Sequence, residues 1–160
     1  MADQPTDAAG GYELTVLLML ALRATIEEAH ARLADKGFDD IRPAHGFAFQ
    51  RLAPNGATGN ELAEHLGITK QAASEMIDYL EARDYVTRRP HPSDGRGKIV
   101  ALTTRGWDCI EEAEGVFSDV EQRWTETVGA GSMTMLRDSL RRIVAASGVA
   151  GPPLRLRPVW

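Results

Sequence analysis

Two short helical segments separated by a glycine-containing turn are the feature that most constrains the fold. Thr58 is a suitable N-cap, Glu61 completes a capping box three residues later, and the first segment ends near Gly67. Thr69 is the N-cap of a second segment that runs to about Arg83. Gly67 also permits a positive φ angle in the turn. The spacing predicts a helix-turn-helix. Its expected contact residues are Leu62, Ala63, Leu66, Gly67, Ile68, Ala73 and Met76.

A basic strand–loop–strand pattern follows the second segment. Residues 86–88 and 99–102 have the composition of strands, and the Pro/Gly-rich residues 91–97 between them predict a hairpin tip. Residues 85–105 contain five cations and one anion, although the whole chain has a net charge of −5. A basic segment on an acidic chain is typical of a surface that binds a polyanion. The hairpin extends the helix pair into a winged helix-turn-helix, which favours binding to duplex DNA.

Polar residues at the beginning of the second helix are candidates for contact with bases. In helix-turn-helix proteins this helix lies in the major groove, with its N-terminal residues at the base edges. These residues are Thr69, Lys70, Gln71 and Ser74. The amide of Gln71 suits adenine, and Lys70 suits guanine or phosphate. We expect Arg96 at the hairpin tip to enter the minor groove, with Asp94 holding its side chain extended. The expected contacts with backbone phosphates are Thr58, Thr69, Arg88, Arg89 and Lys98.

The residues that link the second helix to the hairpin resemble the MarR family of bacterial transcriptional regulators. The matching residues are Leu80-Glu81, Tyr85-Val86 and Asp94-x-Arg96-x-x-x-Val100-x-Leu102-Thr103-x-x-Gly106. The resemblance covers about residues 58–106. Asp84 departs from the pattern, because the family usually has a glycine there. Aspartate tolerates a left-handed backbone better than most residues, so we expect local strain and an intact helix.

The resemblance implies an obligate homodimer in which the first, fifth and sixth helices intertwine and the pair represses transcription from a pseudo-palindromic operator. The sequence agrees with this, since helices are predicted over residues 12–36 and from Thr104 to Val128. In the second of these, apolar residues recur at steps of three and four, as in a coiled-coil seam. The seam residues are Ile110, Ala113, Phe117, Val120 and Trp124. A last helix is expected after the N-cap Ser132. Its expected inward residues are Met133, Leu136, Leu140, Ile143 and Val144.

We therefore expect a mostly α-helical chain with a small β-hairpin wing, which is an α+β winged helix-turn-helix fold with a helical dimerisation region. Residues 11–52 are predicted to form N-terminal helices for dimerisation and support, and residues 53–103 the DNA-binding domain. Residues 104–147 are the long C-terminal dimerisation helices, and residues 148–160 a Pro-rich tail. The longest apolar run has seven residues, against the roughly 20 that a membrane-spanning helix needs. We expect no membrane partner and a cytoplasmic location.

Small-molecule and redox roles receive less support from the residues. The resemblance implies that a small aromatic acid binds between the winged domain and the dimer helices, which makes such a ligand a candidate effector. Trp107, Phe47 and Phe49 could line its pocket, although a role in the core explains them better. Cys109 has only Arg105 as a nearby cation, so we interpret it as a buried, unreactive thiol rather than an oxidant sensor.

Metal and enzyme roles are alternatives that the residue pattern does not favour. His30 and His45 could approach each other across the first two helices, but no histidine lies at metal-ligand spacing from another ligand. We predict no metal or other cofactor, and a metal-responsive regulator of the same family is kept as an alternative. The sequence contains no phosphate-binding loop, nucleophile elbow or zinc-protease motif, so we expect no catalytic residues. The other alternative is a dimeric protein-interaction module whose winged fold does not bind DNA.

Overall fold

Six helices and one antiparallel hairpin follow one another in the computed structural model, which describes residues 11–53, 55–91 and 97–148. In chain order they are α1 (Glu13–Asp35), α2 (Pro43–Leu52), α3 (Gly59–Leu66), α4 (Lys70–Glu81), β1 (Val86–Pro90), β2 (Lys98–Leu102), α5 (Thr104–Val128) and α6 (Ala130–Ala146). This order confirms the expected fold class. No helix in the described ranges is long and apolar enough to span a bilayer.

Local capping defines the helix-turn-helix formed by α3 and α4. The hydroxyl of Thr58 accepts a hydrogen bond from the Glu61 N–H at 3.3 Å, and the Glu61 carboxylate accepts one from the Thr58 N–H at 2.7 Å. Gly67 then ends α3 with a φ of 64°. The Thr69 hydroxyl accepts the N–H of Ala72 at 3.1 Å and caps α4. The predicted capping box, turn and second N-cap are confirmed, because each depends only on residues close in sequence.

The hairpin is fastened to the residues just before α3. Val86 pairs with Leu102 and Pro90 with Lys98, so the two strands are fully paired. Ala57 forms an isolated bridge to the other side of β2, donating to the Val100 carbonyl at 3.0 Å and accepting from its N–H at 2.8 Å. No residue pattern in the sequence predicts this bridge. It holds the hairpin beside the helix pair by backbone hydrogen bonds.

The junction between α4 and β1 explains several residues of the family-like motif. Asp84 has a φ of 62°, which confirms the left-handed backbone expected at that position. The Thr103 hydroxyl donates to the Asp84 carbonyl, and the Thr103 N–H donates to the Tyr85 carbonyl at 3.0 Å. A Cβ on Gly106 would lie 2.3 Å from the same Tyr85 oxygen, so only glycine permits α5 to begin this close to the junction.

The core lies where α2, α3, α4, the hairpin and the beginning of α5 meet. Its largest fully buried side chains are Tyr85, Leu52, Leu62, Leu66, Leu80, Val86 and Cys109. On α4, the predicted contact residues Ala73 and Met76 are buried and half-buried, respectively, and Ile77 and Leu80 are buried beside them. The second half of α1 joins this core through Ala29 and Leu33. Ion pairs such as Arg32–Asp119, at 2.6 Å, also connect α1 to α5.

The last helix corrects two expectations. It begins at Ala130 rather than after Ser132, because Gly129, with a φ of 85°, alone separates it from α5. Of its expected inward residues only Met133 is buried, whereas Leu136, Ile143 and Val144 are exposed. Their helical spacing identified an apolar face correctly but not what that face packs against.

Candidate nucleic-acid interface

Four polar residues form an exposed group at the beginning of α4. They are Thr69, Lys70, Gln71 and Ser74. The opposite face of the helix is buried through Ala73, Ile77 and Leu80. Burial of this face fixes the rotation of the helix about its axis, so the structure brings together all four residues predicted to contact bases. Whether they contact DNA stays a prediction.

Each of these side chains has hydrogen-bonding capacity left for a ligand. The Thr69 hydroxyl accepts the capping bond from Ala72 but keeps its proton to donate. The Gln71 amide donates to the Glu75 carboxylate at 3.0 Å on the exposed surface, a contact that a base edge can replace at little cost. Lys70 takes part in none of the ion pairs of the described residues.

Three cations of the hairpin have different surroundings. Arg89 and Lys98 are exposed, and the same set of ion pairs includes neither of them. Arg88 instead forms ion pairs with Asp78 and Glu81 of α4. The predicted minor-groove residue Arg96 and its partner Asp94 lie outside the described residues, as does the Pro-rich tail from residue 149 onward.

Thr58 is half-buried and engaged locally. Its hydroxyl donates to the Glu61 carboxylate at 2.9 Å, in addition to accepting the capping bond. Hydrogen bonds from the backbone N–H and then the hydroxyl of Thr58 lower the pKa of Glu61 below its usual range, so this carboxyl is ionised at neutral pH. A phosphate that approached Thr58 would meet this negative charge. The phosphate contact assigned to Thr58 stays a prediction.

A polar network around Asp40 joins the loop after α1 to the end of α4. One oxygen of its carboxylate accepts the hydroxyl of Tyr85 at 2.6 Å, and its backbone carbonyl accepts the hydroxyl of Tyr79 at 2.8 Å. Arg83 lies 3.4 Å from the second carboxylate oxygen. Arg105 of α5 donates to the Tyr85 hydroxyl at 3.0 Å. Sequence reasoning missed this network, because no local spacing connects residue 40 to residues 79–105.

The network has a defined protonation state. Burial, together with the hydrogen bond to Asp40, raises the pKa of Tyr85 well above its usual value. The phenol therefore stays protonated and donates to the carboxylate. This arrangement fixes the position of the α4–β1 junction relative to the loop between α1 and α2.

A cavity of about 510 Å³ lies between α1, α2 and α5. Apolar side chains make most of its wall, including Ile26, Phe47, Phe49, Ile110 and Phe117. The polar groups on the wall are His30, Arg42, Gln50 and Glu114. Phe49 is a core residue, as expected, but it and Phe47 also line this cavity. Trp107 is 48% exposed and belongs to neither the cavity wall nor the core.

The cysteine and the histidines are buried or partly buried groups without metal-site geometry. Cys109 is buried, as predicted, and burial raises the pKa of its thiol to about 11, which disfavours the reactive thiolate. His45 accepts the N–H of Arg42 at 3.2 Å, and burial followed by the charge of Arg42 lowers its pKa to about 4. In the ranges that the structure describes, no three histidine, cysteine or acidic residues are arranged to hold a metal ion.

A large apolar surface of α1, α5 and α6 is not covered by the residues that the structure describes. In α1 it includes Leu14, Leu17, Leu18, Leu20 and Leu22, all of them exposed. The predicted seam of α5 is divided. Val120 is buried and Ile110 half-buried, whereas Phe117 and Trp124 are 44% and 37% exposed. So many exposed large apolar residues on neighbouring helices are typical of a surface that another molecule covers.

Comparisons with known proteins agree with this geometry. The sequence model described as MarR family matches residues 40–97. The multiple antibiotic resistance protein MarR of Escherichia coli (strain K12) is 32% identical over 85 residues, which is 52% of this chain and 59% of that protein. The chain thus spans less than two thirds of the length of this relative.

Solved structures share the fold over most of the chain. The crystal structure of wild-type MarR from E. coli in its apo form has a TM-score of 0.65 at 26% identity, and the match covers 82% of this chain and 96% of that one. The transcriptional repressor CouR, bound to a 23-mer DNA duplex, also has a TM-score of 0.65 at 26% identity. That match covers 89% of this chain and 99% of CouR.

Proposed function

We propose that this chain, which is similar to proteins of the MarR family, is a cytoplasmic transcriptional regulator that binds a pseudo-palindromic operator in duplex DNA as a homodimer and represses transcription. The observation that carries this proposal is the exposed polar beginning of α4, whose opposite face is locked into the core. A helix held this way presents the same side chains to the major groove in every molecule.

The contacts divide into those that recognise bases and those that position the protein. Lys70, Gln71 and Ser74 contact base edges, and the Gln71 amide forms a bidentate contact with adenine. Arg89 and Lys98, which are exposed on the hairpin, contact phosphates together with the hydroxyls of Thr58 and Thr69. Arg96, oriented by Asp94, enters the minor groove as the sequence predicts.

A second copy of the chain covers the apolar surface of α1, α5 and α6. Phe117 and Trp124 then reach the seam predicted for them, together with Ile110 and Val120. A twofold dimer places two copies of α4 about one DNA turn, or ~34 Å, apart, which matches an inverted repeat. The whole-chain charge of −5 does not oppose this, because the hairpin cations lie on the side that faces DNA.

Selection from a random pool of duplexes tests the proposal. The purified chain should enrich an inverted repeat whose half-site centres lie about 10 base pairs apart. Binding to the enriched duplex should weaken steeply with salt, because each neutralised phosphate contributes about −0.9 to the log–log slope. Failure to enrich any sequence, or binding that is equal at low and physiological salt, would contradict the proposal.

The cavity supports a second function, which is release of the operator by a small aromatic acid. Its wall is mostly apolar, and Arg42 lies on it as a cation for a carboxylate. Ile41 and Arg42 of the wall directly follow Asp40, which accepts the hydroxyl of Tyr79 on α4. Ligand that moves this loop therefore acts on the recognition helix.

Benzoate and substituted benzoates are suitable probes of this effector function. We expect the active ones to raise the melting temperature and to weaken operator binding, with both effects reduced in Arg42→Ala. A set of aromatic acids that changes neither quantity would leave the DNA-binding proposal intact and remove the effector.

A further inference from the structure

Arg88 and Arg89 are neighbours on β1 but have opposite environments. Successive residues of a strand point to opposite faces. Arg89 is exposed, whereas the side chain of Arg88 is only 24% exposed and turns toward α4. Sequence alone assigns both residues to phosphate contacts, since nothing in their spacing distinguishes them.

Three hydrogen bonds connect Arg88 to the last turns of α4. One guanidinium nitrogen donates to the Glu81 carboxylate, and the other donates to the Asp78 carboxylate at 2.5 Å. The backbone N–H of Arg88 donates to the other oxygen of Glu81 at 3.0 Å. The strand itself, and not only a long side chain, is therefore held against the helix.

The charges of this cluster make Arg88 a poor phosphate ligand. Asp78 and Glu81 together carry two negative charges against the single positive charge of Arg88, so an approaching phosphate meets a net negative group. Moving the guanidinium to DNA would leave both carboxylates without their partner near a polyanion. Exposed Arg89 has neither restriction.

We propose that Arg88 is a positioning residue that fixes β1 against the end of α4, and thereby sets the angle between the hairpin and the recognition helix, instead of contacting a phosphate. The inference rests on the proposed DNA-binding function. Operator recognition needs α4 and the hairpin to reach their contacts simultaneously, whereas binding to unrelated DNA tolerates a change in this angle. Loss of Arg88 should therefore reduce discrimination between sequences more than it reduces overall attraction to DNA.

The matched variants Arg88→Gln and Arg89→Gln distinguish positioning from phosphate contact. Dissociation constants are measured over a range of salt, for the selected operator and for an unrelated duplex, at a temperature where melting curves show each protein fully folded. Arg89→Gln should reduce the salt slope by about 0.9 for each lost phosphate contact, or ~1.8 per dimer. Arg88→Gln should leave the slope unchanged and lower the ratio of operator to unrelated affinity about tenfold, the size expected for a charge-assisted hydrogen bond.

Glu81→Gln is a complementary test, because it removes a negative charge from the cluster and leaves the positive charge of Arg88 in place. If Arg88 contacts phosphate, removal of a nearby carboxylate should strengthen binding to both duplexes and leave their ratio unchanged. If Arg88 positions the strand, the ratio should fall as it does in Arg88→Gln. The double variant Arg88→Glu with Glu81→Arg, which exchanges the two charges, should restore part of the ratio of operator to unrelated affinity. A variant that had merely lost folded protein would not restore this ratio.

Arg88→Lys keeps the inference testable if Arg88→Gln does not fold. Lysine retains the charge but lacks the planar fork that reaches two carboxylates, so we expect an unchanged slope and a ratio below that of the wild type. A reduced slope in Arg88→Gln equal to that of Arg89→Gln, or wild-type discrimination in Arg88→Lys, would overturn the inference while leaving the proposed function standing. If the wild-type chain binds neither duplex, the proposed function and this inference both fail.

Discussion

The winged helix-turn-helix and the long helices bury their apolar residues in different ways. In the winged unit, which comprises α3, α4 and the hairpin, Leu62, Leu66 and Leu80 are fully buried by the same chain. In α1 and α6, the apolar residues Leu17 and Ile143 are more than half exposed. One part of this molecule is therefore complete in a single chain, whereas the other leaves exposed an apolar surface that we propose a second copy covers.

The largest effect is expected from charges placed on the uncovered surface. Leu17→Asp and Ile143→Asp put a carboxylate on the surface where we propose that the second copy packs, so the dimer should dissociate at micromolar concentration. The winged unit should retain its helical circular dichroism, because it is buried within its own chain. Light scattering measures the mass, and a dimer that persists in both variants would mean that the partner lies elsewhere.

A smaller, concentration-independent loss is expected in the winged unit. Leu62→Ala removes a fully buried side chain from the core, which should lower the free energy of unfolding by about 2–5 kcal/mol. Since Leu62 contacts only its own chain, the loss should be equal at low and high protein concentration. Urea titrations at two concentrations check this, with light scattering to establish that the variant still associates.

The stability of the protein should decrease in acid because of His45, a buried residue of α2. Burial and Arg42 lower the pKa of His45 to about 4, while Asp40, Arg83 and His30 also act on it. Protonation of His45 therefore favours the unfolded state, in which the pKa of a histidine is about 6.5. Stability should fall by on the order of 3 kcal/mol as the pH decreases from 6.5 to 4, and should not depend on His45 above 6.5.

His45→Gln serves as the comparison for this pH effect. It removes the titrating group and keeps a side chain able to accept a hydrogen bond from Arg42. Urea titrations at several pH values should show a shallower decrease in stability for this variant than for the wild type. Identical pH profiles would show that His45 does not carry the linkage.

The smallest effect is expected at the exposed beginning of α4. Gln71→Ala should cost about 1–3 kcal/mol at one base pair in each half-site and little at the others. Stability and the mass in solution should not change, because Gln71 is exposed and its amide forms a surface hydrogen bond with Glu75. Binding to operators with single-base substitutions measures this. Equal weakening on every operator would make Gln71 a backbone contact.

Local signals predicted the winged unit well. The caps at Thr58 and Thr69, the left-handed Gly67 and the hairpin all depend on residues close in sequence, and the structure confirms each of them. The left-handed backbone at Asp84, which the family resemblance implied, is confirmed as well. The tie between Ala57 and Val100 was not predicted, since a single backbone bridge has no side-chain signature.

Long-range contacts account for what the sequence did not reveal. Helical spacing identified apolar faces on α5 and α6, but spacing does not say whether a face packs within the chain or against a second one. The Asp40–Tyr85 hydrogen bond and the pairing of Arg88 with Asp78 and Glu81 depend on the folded arrangement. Charge counting treated Arg88 as a free cation, because it could not identify these partners.

The mass of the protein–DNA complex shows whether two copies of the chain bind one operator. Light scattering on the chain mixed with an excess of its selected operator should give one duplex with two chains of 17.5 kDa each, and the same two chains without DNA. A complex that contains a single chain, or no complex with any selected duplex, would contradict a homodimer that reads an inverted repeat through α4.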